Sequence, residues 1–151
     1  MYNIVMGNLL DMFEAGDFDV IVHGCNCFHI MGAGIAAQIK ERFPTAYQAG
    51  LKTPKYYTEF GRYSKAKFPN CGITLNTYTQ YGLGGPRTLN YNDLYNVFCK
   101  IKKDFSGRYI AYPKIGIGLA GGDWRIIDYI IRTVFGEREA YFRKLQRIRK
   151  E

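Results

Sequence analysis

Two stretches of this sequence have the residue types and spacing to grip an anion. Gly32-Ala33-Gly34-Ile35-Ala36-Ala37 fits G-x-G-x-x-[G/A], and Gly116-Ile117-Gly118-Leu119-Ala120-Gly121 fits G-x-G-x-x-G. Glycine lets backbone pass close to a ligand, and a helix that follows presents N–H donors and the positive end of its dipole to negative charge. One such match says little, because glycines also make tight turns. Two of them at strand-to-helix junctions of one small chain point to a phosphate grip. Just before the first loop lies Cys25-Asn26-Cys27-Phe28-His29-Ile30-Met31. Asn26 can hydrogen-bond a sugar hydroxyl, orient a water or merely close a turn. His29 can carry a proton near neutral pH or sit in solvent, and Asp123 can do proton transfer or cap a helix.

Two rival readings of these residues fail on spacing. A Rossmann fingerprint opens its helix directly after the strand and has an acidic residue about 20 positions on. Here eight residues, Gly24 to Met31, separate strand from fingerprint, and the second loop has no acidic follower. Cys25, Cys27 and His29 could begin a zinc site, but no second ligand pair has the usual spacing, so no metal is expected.

Elements of two periods must position these loops. Tyr2–Met6, Asp19–His23, Tyr63–Lys67, Ile73–Thr79 and Arg108–Pro113 read as strands, the second and fourth rich in β-branched residues. Ile35–Phe43 reads as a helix stopped by Pro44. Asp93–Lys103 and Trp124–Phe135 carry apolar residues at helical spacing, the latter behind Asp123 as an N-cap. Strands alternating with helices predict a three-layer α/β/α sandwich. The expected division is a core over residues 1–135 and a basic C-terminal helix or tail over 136–151, with Ala140–Phe142 as a weak strand candidate.

The composition agrees with one folded domain. A chain of 151 residues with 47% hydrophobic and 23% charged residues excludes a disordered or collagen-like polymer. No apolar run is long enough to span a bilayer and no signal peptide opens the chain, so a cytoplasmic protein with no membrane partner is expected, working as a monomer. The net charge of +8 suggests a nucleic-acid binder. However, Arg138 to Glu151 holds six basic and two acidic residues, so half of the excess lies in 14 positions. The core's preference for anions therefore rests on its glycine loops, and the expected ligand is the size of a dinucleotide diphosphate.

Three segments together resemble a known family. Val22-His23-Gly24-Cys25-Asn26-Cys27, Met31-Gly32-Ala33-Gly34-Ile35-Ala36 and Pro113-Lys114-Ile115-Gly116-Ile117-Gly118-Leu119-Ala120-Gly121-Gly122-Asp123-Trp124 look like those of a macrodomain. The resemblance is nearest to the branch of ADP-ribose-1''-phosphate phosphatases and of hydrolases that remove ADP-ribose from proteins or DNA. It implies an α/β/α sandwich with a mixed, about six-stranded sheet that binds ADP-ribose or a derivative across its strand ends, with no cofactor. It sets Gly7, Asn8, Leu9 and Leu10 beside the adenine, with Asn8 where the family usually has Asp. It sets Cys27 and Met31 to Ala36 on one side of the diphosphate and Gly116 to Gly121 on the other. Asn26 falls by the distal ribose, with Gln80 and Tyr81 flanking the pocket. One subset of the family works through a lysine paired with an acidic residue in the second loop. Here that position is Ala120, and Lys40 reads as a solvated helix residue. The resemblance thus implies an ADP-ribose-processing hydrolase, first a phosphatase of ADP-ribose-1''-phosphate, with Asn26, His29 and Asp123 as catalytic residues. Its alternatives are a binding module without turnover, or a hydrolase acting on ADP-ribosylated DNA or protein that the basic tail would help to hold.

Overall fold

The run Val20-Ile21-Val22 alternates its side chains between two apolar layers, which fixes it as a strand in the middle of a sheet. In the computed structural model, which describes residues 2–28, 30–32, 34–53, 60–80, 89–117, 120–136 and 142–145, this run belongs to β2, Val20–Asn26. The other strands are β1 (Tyr2–Val5), β3 (Tyr63–Phe68), β4 (Gly72–Gln80), β5 (Ile110–Tyr112) and β6 (Phe142–Leu145). They form one six-stranded sheet in the order β1-β6-β5-β2-β4-β3. All neighbours are parallel except β3, which runs antiparallel to β4.

Helices cover both faces. On one side α1 (Leu9–Glu14), α2 (Gly34–Arg42) and α3 (Pro44–Leu51) pack Leu9, Leu10, Phe13, Ile39 and Ala46 against Ile21 and Ala111. On the other, α4 (Tyr91–Asp104) and α5 (Trp124–Phe135) pack Leu94, Val97, Phe98, Ile101, Ile127 and Ile131 against Val20, Val22 and Leu75. This is the three-layer sandwich with a mixed sheet. Side-chain caps start three of the helices: Asn8 for α1, Asn90 for α4 and Asp123 for α5. Among the described residues no helix is long and apolar enough to cross a membrane.

The sequence reading needs correction at the C-terminal end. Where a helix or tail was expected over 136–151, residues 142–145 form β6. This strand lies inside the sheet, pairing Tyr2↔Phe142 to Val5↔Leu145 on one side and Ile110↔Phe142 to Tyr112↔Lys144 on the other. The segment Phe-Arg-Lys-Leu has no β-branched residue and two basic ones, so its strand signal is weak, and the candidate Ala140–Phe142 meets β6 only at Phe142. It is recruited because β1 and β5 each leave an edge that a parallel strand satisfies. Residues 146–151 lie outside the described residues.

Candidate functional site

Because β1, β6, β5, β2 and β4 are parallel, the segments that follow β1, β2, β4 and β5 all leave at one end of the sheet. Met6–Asn8, Cys27–Phe28, Ile30–Gly32, the exit of β4 at Gln80, Pro113–Ile117 and Ala120–Gly121 therefore share one rim. In open α/β sheets this carboxyl end is where ligands sit. Met6, Ile30 and Ile117 are exposed apolar residues on three of these segments.

Asn26 ends β2 and is 4% exposed. Its Oδ1 accepts from the backbone N–H of Phe28 (3.0 Å) and Ile30 (3.2 Å), and its Nδ2 donates to the Ile30 carbonyl (2.7 Å). The amide thus ties the first loop into a closed turn and keeps one N–H for another partner. Register slips here: Cys25 faces Tyr78 but Asn26 faces Gln80, so Thr79 is an extra residue on β4. The slip brings Gln80 beside Asn26. Thr79 Oγ1 is buried with no hydrogen-bond partner among the described residues. Cys27 is fully buried with Cys25 and Tyr78, and Met31 packs with Ile39 in the apolar layer. His29, Ala33, Tyr81, Gly118 and Leu119, each a sequence-predicted site residue, lie outside the described residues.

The two glycine loops, alike in sequence, meet their helices differently. The first runs straight into α2, whose first residue Gly34 has φ +57° with nothing within 4 Å of where a Cβ would stand. Gly34, Ile35 and Ala36 lie in the first turn, so their N–H groups have no intrahelical acceptor. The second loop is closed on itself by Gly122 N–H donating to the Gly116 carbonyl at 2.7 Å. Leu89 fills the space behind it, and its own N–H donates to the Ala120 carbonyl at 3.3 Å. Beyond it Asp123 seals the start of α5: Oδ1 accepts from the Arg125 backbone N–H (2.9 Å) and Oδ2 pairs with Arg125 Nη2 (3.0 Å). These Arg125 hydrogen bonds hold the Asp123 carboxyl below its usual range. At neutral pH it is ionised and has no proton to give. Tyr91 Oη accepts from the Asp123 N–H at 3.0 Å, fastening α4 to this junction. An open helix N-terminus is thus offered by α2, and loop N–H groups alone by the second loop.

On the β1 side, Asn8 Oδ1 accepts from the N–H of Leu10 (3.0 Å) and Asp11 (3.1 Å), so its carbonyl oxygen serves the helix. Leu9 and Leu10 are fully buried, and only their backbone can meet a ligand. Gly7 is exposed beside them. Lys40 is exposed on α2, its Nζ 4.2 Å from the Tyr47 ring centroid.

Beneath the first loop is a polar chain that sequence reasoning did not single out. His23 is fully buried, and its Nε2 lies 2.6 Å from Asn76 Oδ1. Asn76 Nδ2 donates to the Ala46 carbonyl (2.8 Å) and Ser64 Oγ (2.9 Å), and Ser64 Oγ meets Tyr78 Oη at 2.8 Å. Burial lowers the His23 pKa to about 4, against the smaller raising effect of Asn76. Cys25 Sγ, 3.6 Å from the imidazole, is a thiol pushed well up by burial. A cleft of ≈ 220 Å³ opens here, lined by Cys25, Asn26, Ile30, Met31, Tyr47, Gly50, Asn76 and Tyr78. That volume includes open solvent, so the cleft is a shallow recess rather than a ligand pocket. The signal for this chain was a histidine inside an otherwise apolar strand, in register with an asparagine on the next.

No family profile matches the chain. An uncharacterised 17.5 kDa protein of Enterobacteria phage T4 is 31% identical over 144 residues, 89% of this chain and 90% of its own length. A DNA ADP-ribosyl glycohydrolase of Thermus aquaticus is 29% identical over 130 residues, 82% of this chain but 35% of the relative, so this chain spans about a third of that protein. An ADP-ribose 1''-phosphate phosphatase of Ajellomyces capsulatus is 45% identical over 38 residues, 25% of this chain and 15% of the relative. Among solved structures, the macrodomain of Thermus aquaticus DarG superposes with a TM-score of 0.75 at 23% identity, covering 97% of this chain and 98% of that one. Thermosipho africanus DarTG in complex with ADP-ribose superposes with a TM-score of 0.75 at 20% identity, covering 99% and 43%. The fold is that of these macrodomains, and the phage protein is a relative along nearly its whole length.

Proposed function

We propose that this chain is a hydrolase of ADP-ribose derivatives. The observation that carries the reading is the parallel strand order, which sets Met6–Asn8, Cys27–Phe28, Ile30–Gly32, Gln80, Pro113–Ile117 and Ala120–Gly121 on one rim with the open N-terminus of α2 among them. A diphosphate fits that rim through backbone N–H groups, the first-turn donors of α2 facing one phosphate and the second loop the other. The distal ribose lies beside Asn26, whose remaining N–H donates to a ribose hydroxyl. His29 moves the proton between the attacking water and the leaving group. Asp123 keeps α5 and the second loop in place.

Of the linkages considered, we favour the glycosidic bond between ADP-ribose and a larger acceptor over the 1''-phosphate ester. The relatives named as DNA ADP-ribosyl glycohydrolases align with 82–83% of this chain, whereas those named as phosphatases align with 24–32%. A second reading, an ADP-ribose-binding module without turnover, is favoured by one observation: Asn26 spends most of its polar capacity within its own loop, and Asp123 is paired with Arg125.

A substrate panel separates these readings. Wild type, Asn26→Ala and His29→Ala are incubated with an ADP-ribosylated oligothymidylate, ADP-ribosylated glutamyl protein, acetyl-ADP-ribose and ADP-ribose-1''-phosphate. The expected result is fastest release of ADP-ribose from the oligonucleotide, with both variants slowed at least tenfold. Calorimetric ADP-ribose binding with no turnover of any substrate selects the module.

A further inference from the structure

β3 is the last strand in the sheet order and, among the described residues, pairs only with β4. Its side chains alternate. Ser64 and Ala66 are buried toward α3, while Tyr63, Lys65 and Lys67 lie on the opposite face. There the Tyr63 ring sits 5.8 Å from Phe105, with Lys100 Nζ of α4 at 5.9 Å from its centroid. Lys65 and Lys67 are exposed, as are Arg62 before the strand and Lys100 and Lys103 on α4. Among the described residues the opposing charges beside Lys65, Lys67 and Lys100 are Asp104, which accepts from Tyr63 Oη at 2.6 Å, and Asp93, packed beside Gly61. None of Arg62, Lys65 or Lys67 is ion-paired with a described residue.

This row has a direction. β3 is antiparallel to β4 with Tyr63 opposite Thr77, so its Arg62–Tyr63 end lies where β4 delivers Gln80 beside Asn26. The cations thus run along the sheet edge up to the proposed site. Alternate residues of a strand stand roughly 6.6–6.8 Å apart, a spacing that suits successive phosphates of an extended single strand. The lysines of β3 form a row one side chain wide, which matches one backbone, not the two of a duplex. Lysines on an edge strand also deter pairing with another sheet, which accounts for Lys65 and Lys67 but not for Lys100 beside Tyr63.

We propose that this edge, Lys65 and Lys67 with Lys100 of α4, is the track for the phosphate backbone of a single nucleic-acid strand. The inference rests on the hydrolase reading only in placing an ADP-ribosylated nucleotide of that strand at the rim. The contact itself is tested with unmodified nucleic acid.

The experiment is fluorescence anisotropy of a labelled 12-nucleotide oligothymidylate from 50 to 200 mM salt, with wild type and Lys65→Gln/Lys67→Gln. Calorimetry with free ADP-ribose runs in parallel. Each backbone contact adds about 0.7 to the slope of log affinity against log salt for a single strand, so the double variant should lose about 1.4 of that slope. It should also bind at least tenfold more weakly at 50 mM salt, with ADP-ribose affinity unchanged. The proposal is overturned if wild type does not bind the oligonucleotide, or if the variant binds it equally well. It is overturned too if a duplex of the same length binds as tightly, or if the lysines matter only for phosphatidylserine vesicles. A variant whose sole defect is self-association in light scattering shows edge protection alone and equally overturns it. Failure of ADP-ribose to bind wild type would instead sink the hydrolase reading and leave the strand contact standing.

Discussion

At the scale of residues, Asn26 and His23 divide the site between a rim that meets ligand and a buried frame under it. Asn26 holds its loop with three hydrogen bonds, each contributing about 0.5–1.5 kcal/mol. Asn26→Ala should weaken ADP-ribose binding about tenfold or more, whereas Asn26→Asp, which keeps both acceptor bonds, should fall between; calorimetry of the three proteins checks the order. His23 sets a pH dependence. Its folded pKa of about 4 lies below the ordinary 6.5, so the unfolded chain takes up the proton first and stability falls as pH drops from 6.5 toward 4. At pH 5 the loss should be about 2 kcal/mol relative to pH 7, seen as a lower urea midpoint, and His23→Gln should flatten that dependence. The sequence leaves Asn26 open between closing a turn, orienting a water and touching a sugar; its bonds within the loop establish the first. His23 stayed hidden because an apolar strand gives no sign of which polar group its neighbour supplies.

At the scale of elements, the two glycine loops differ in what a methyl group would cost. Gly34→Ala puts a Cβ into open space but in a left-handed conformation, costing about 1–2 kcal/mol and crowding the phosphate approach. Gly122→Ala drives its Cβ against Leu89, the Gly116 carbonyl and Ile127 at 2.5–2.8 Å, and should cost about 1–3 kcal/mol through the core. Thermal melts with ADP-ribose titrations should therefore show Gly34→Ala losing chiefly affinity and Gly122→Ala chiefly stability. Most elements were legible from period alone, since β2, β4, α4 and α5 each bury one clear pattern. Three were not. Helix α1 is six residues long, and its cap Asn8 reads equally well as a turn after β1. Pro44 looks like a stop for α2, yet it also opens α3 as its first residue. β6 is specified by its two neighbours and not by its own side chains. The asymmetry of the loops was equally illegible, because it depends on Leu89 and Tyr91 reaching the second loop from another element.

At the scale of the whole molecule, net charge resolves into separate parts. On the proposed reading the rim needs few cations because backbone donors would face the diphosphate, while a separate basic row lies along the β3 edge. The sheet joins these regions, and β6 joins the sheet. Ending the chain after Ala140 should abolish the cooperative thermal transition, since β1 and β5 would each lose a partner; ending it after Leu145 should preserve both the transition and ADP-ribose binding. Circular dichroism melts of the two truncations check this.

The insertion of β6 between β1 and β5 also sets an order of events during synthesis. β1 is made first, yet its only partner in the sheet is the sixth strand, roughly 140 residues later. At about 5–20 residues per second, the opening strand waits on the order of ten seconds with its hydrogen bonds to the sheet unmade. A nascent chain extended as far as α5 can assemble β5, β2, β4 and β3, and with them both glycine loops, but it has nothing to anchor Met6–Asn8 on the rim. One of the four rim segments therefore takes its place in a single late step, and an interrupted chain exposes the β5 edge as a template for other strands.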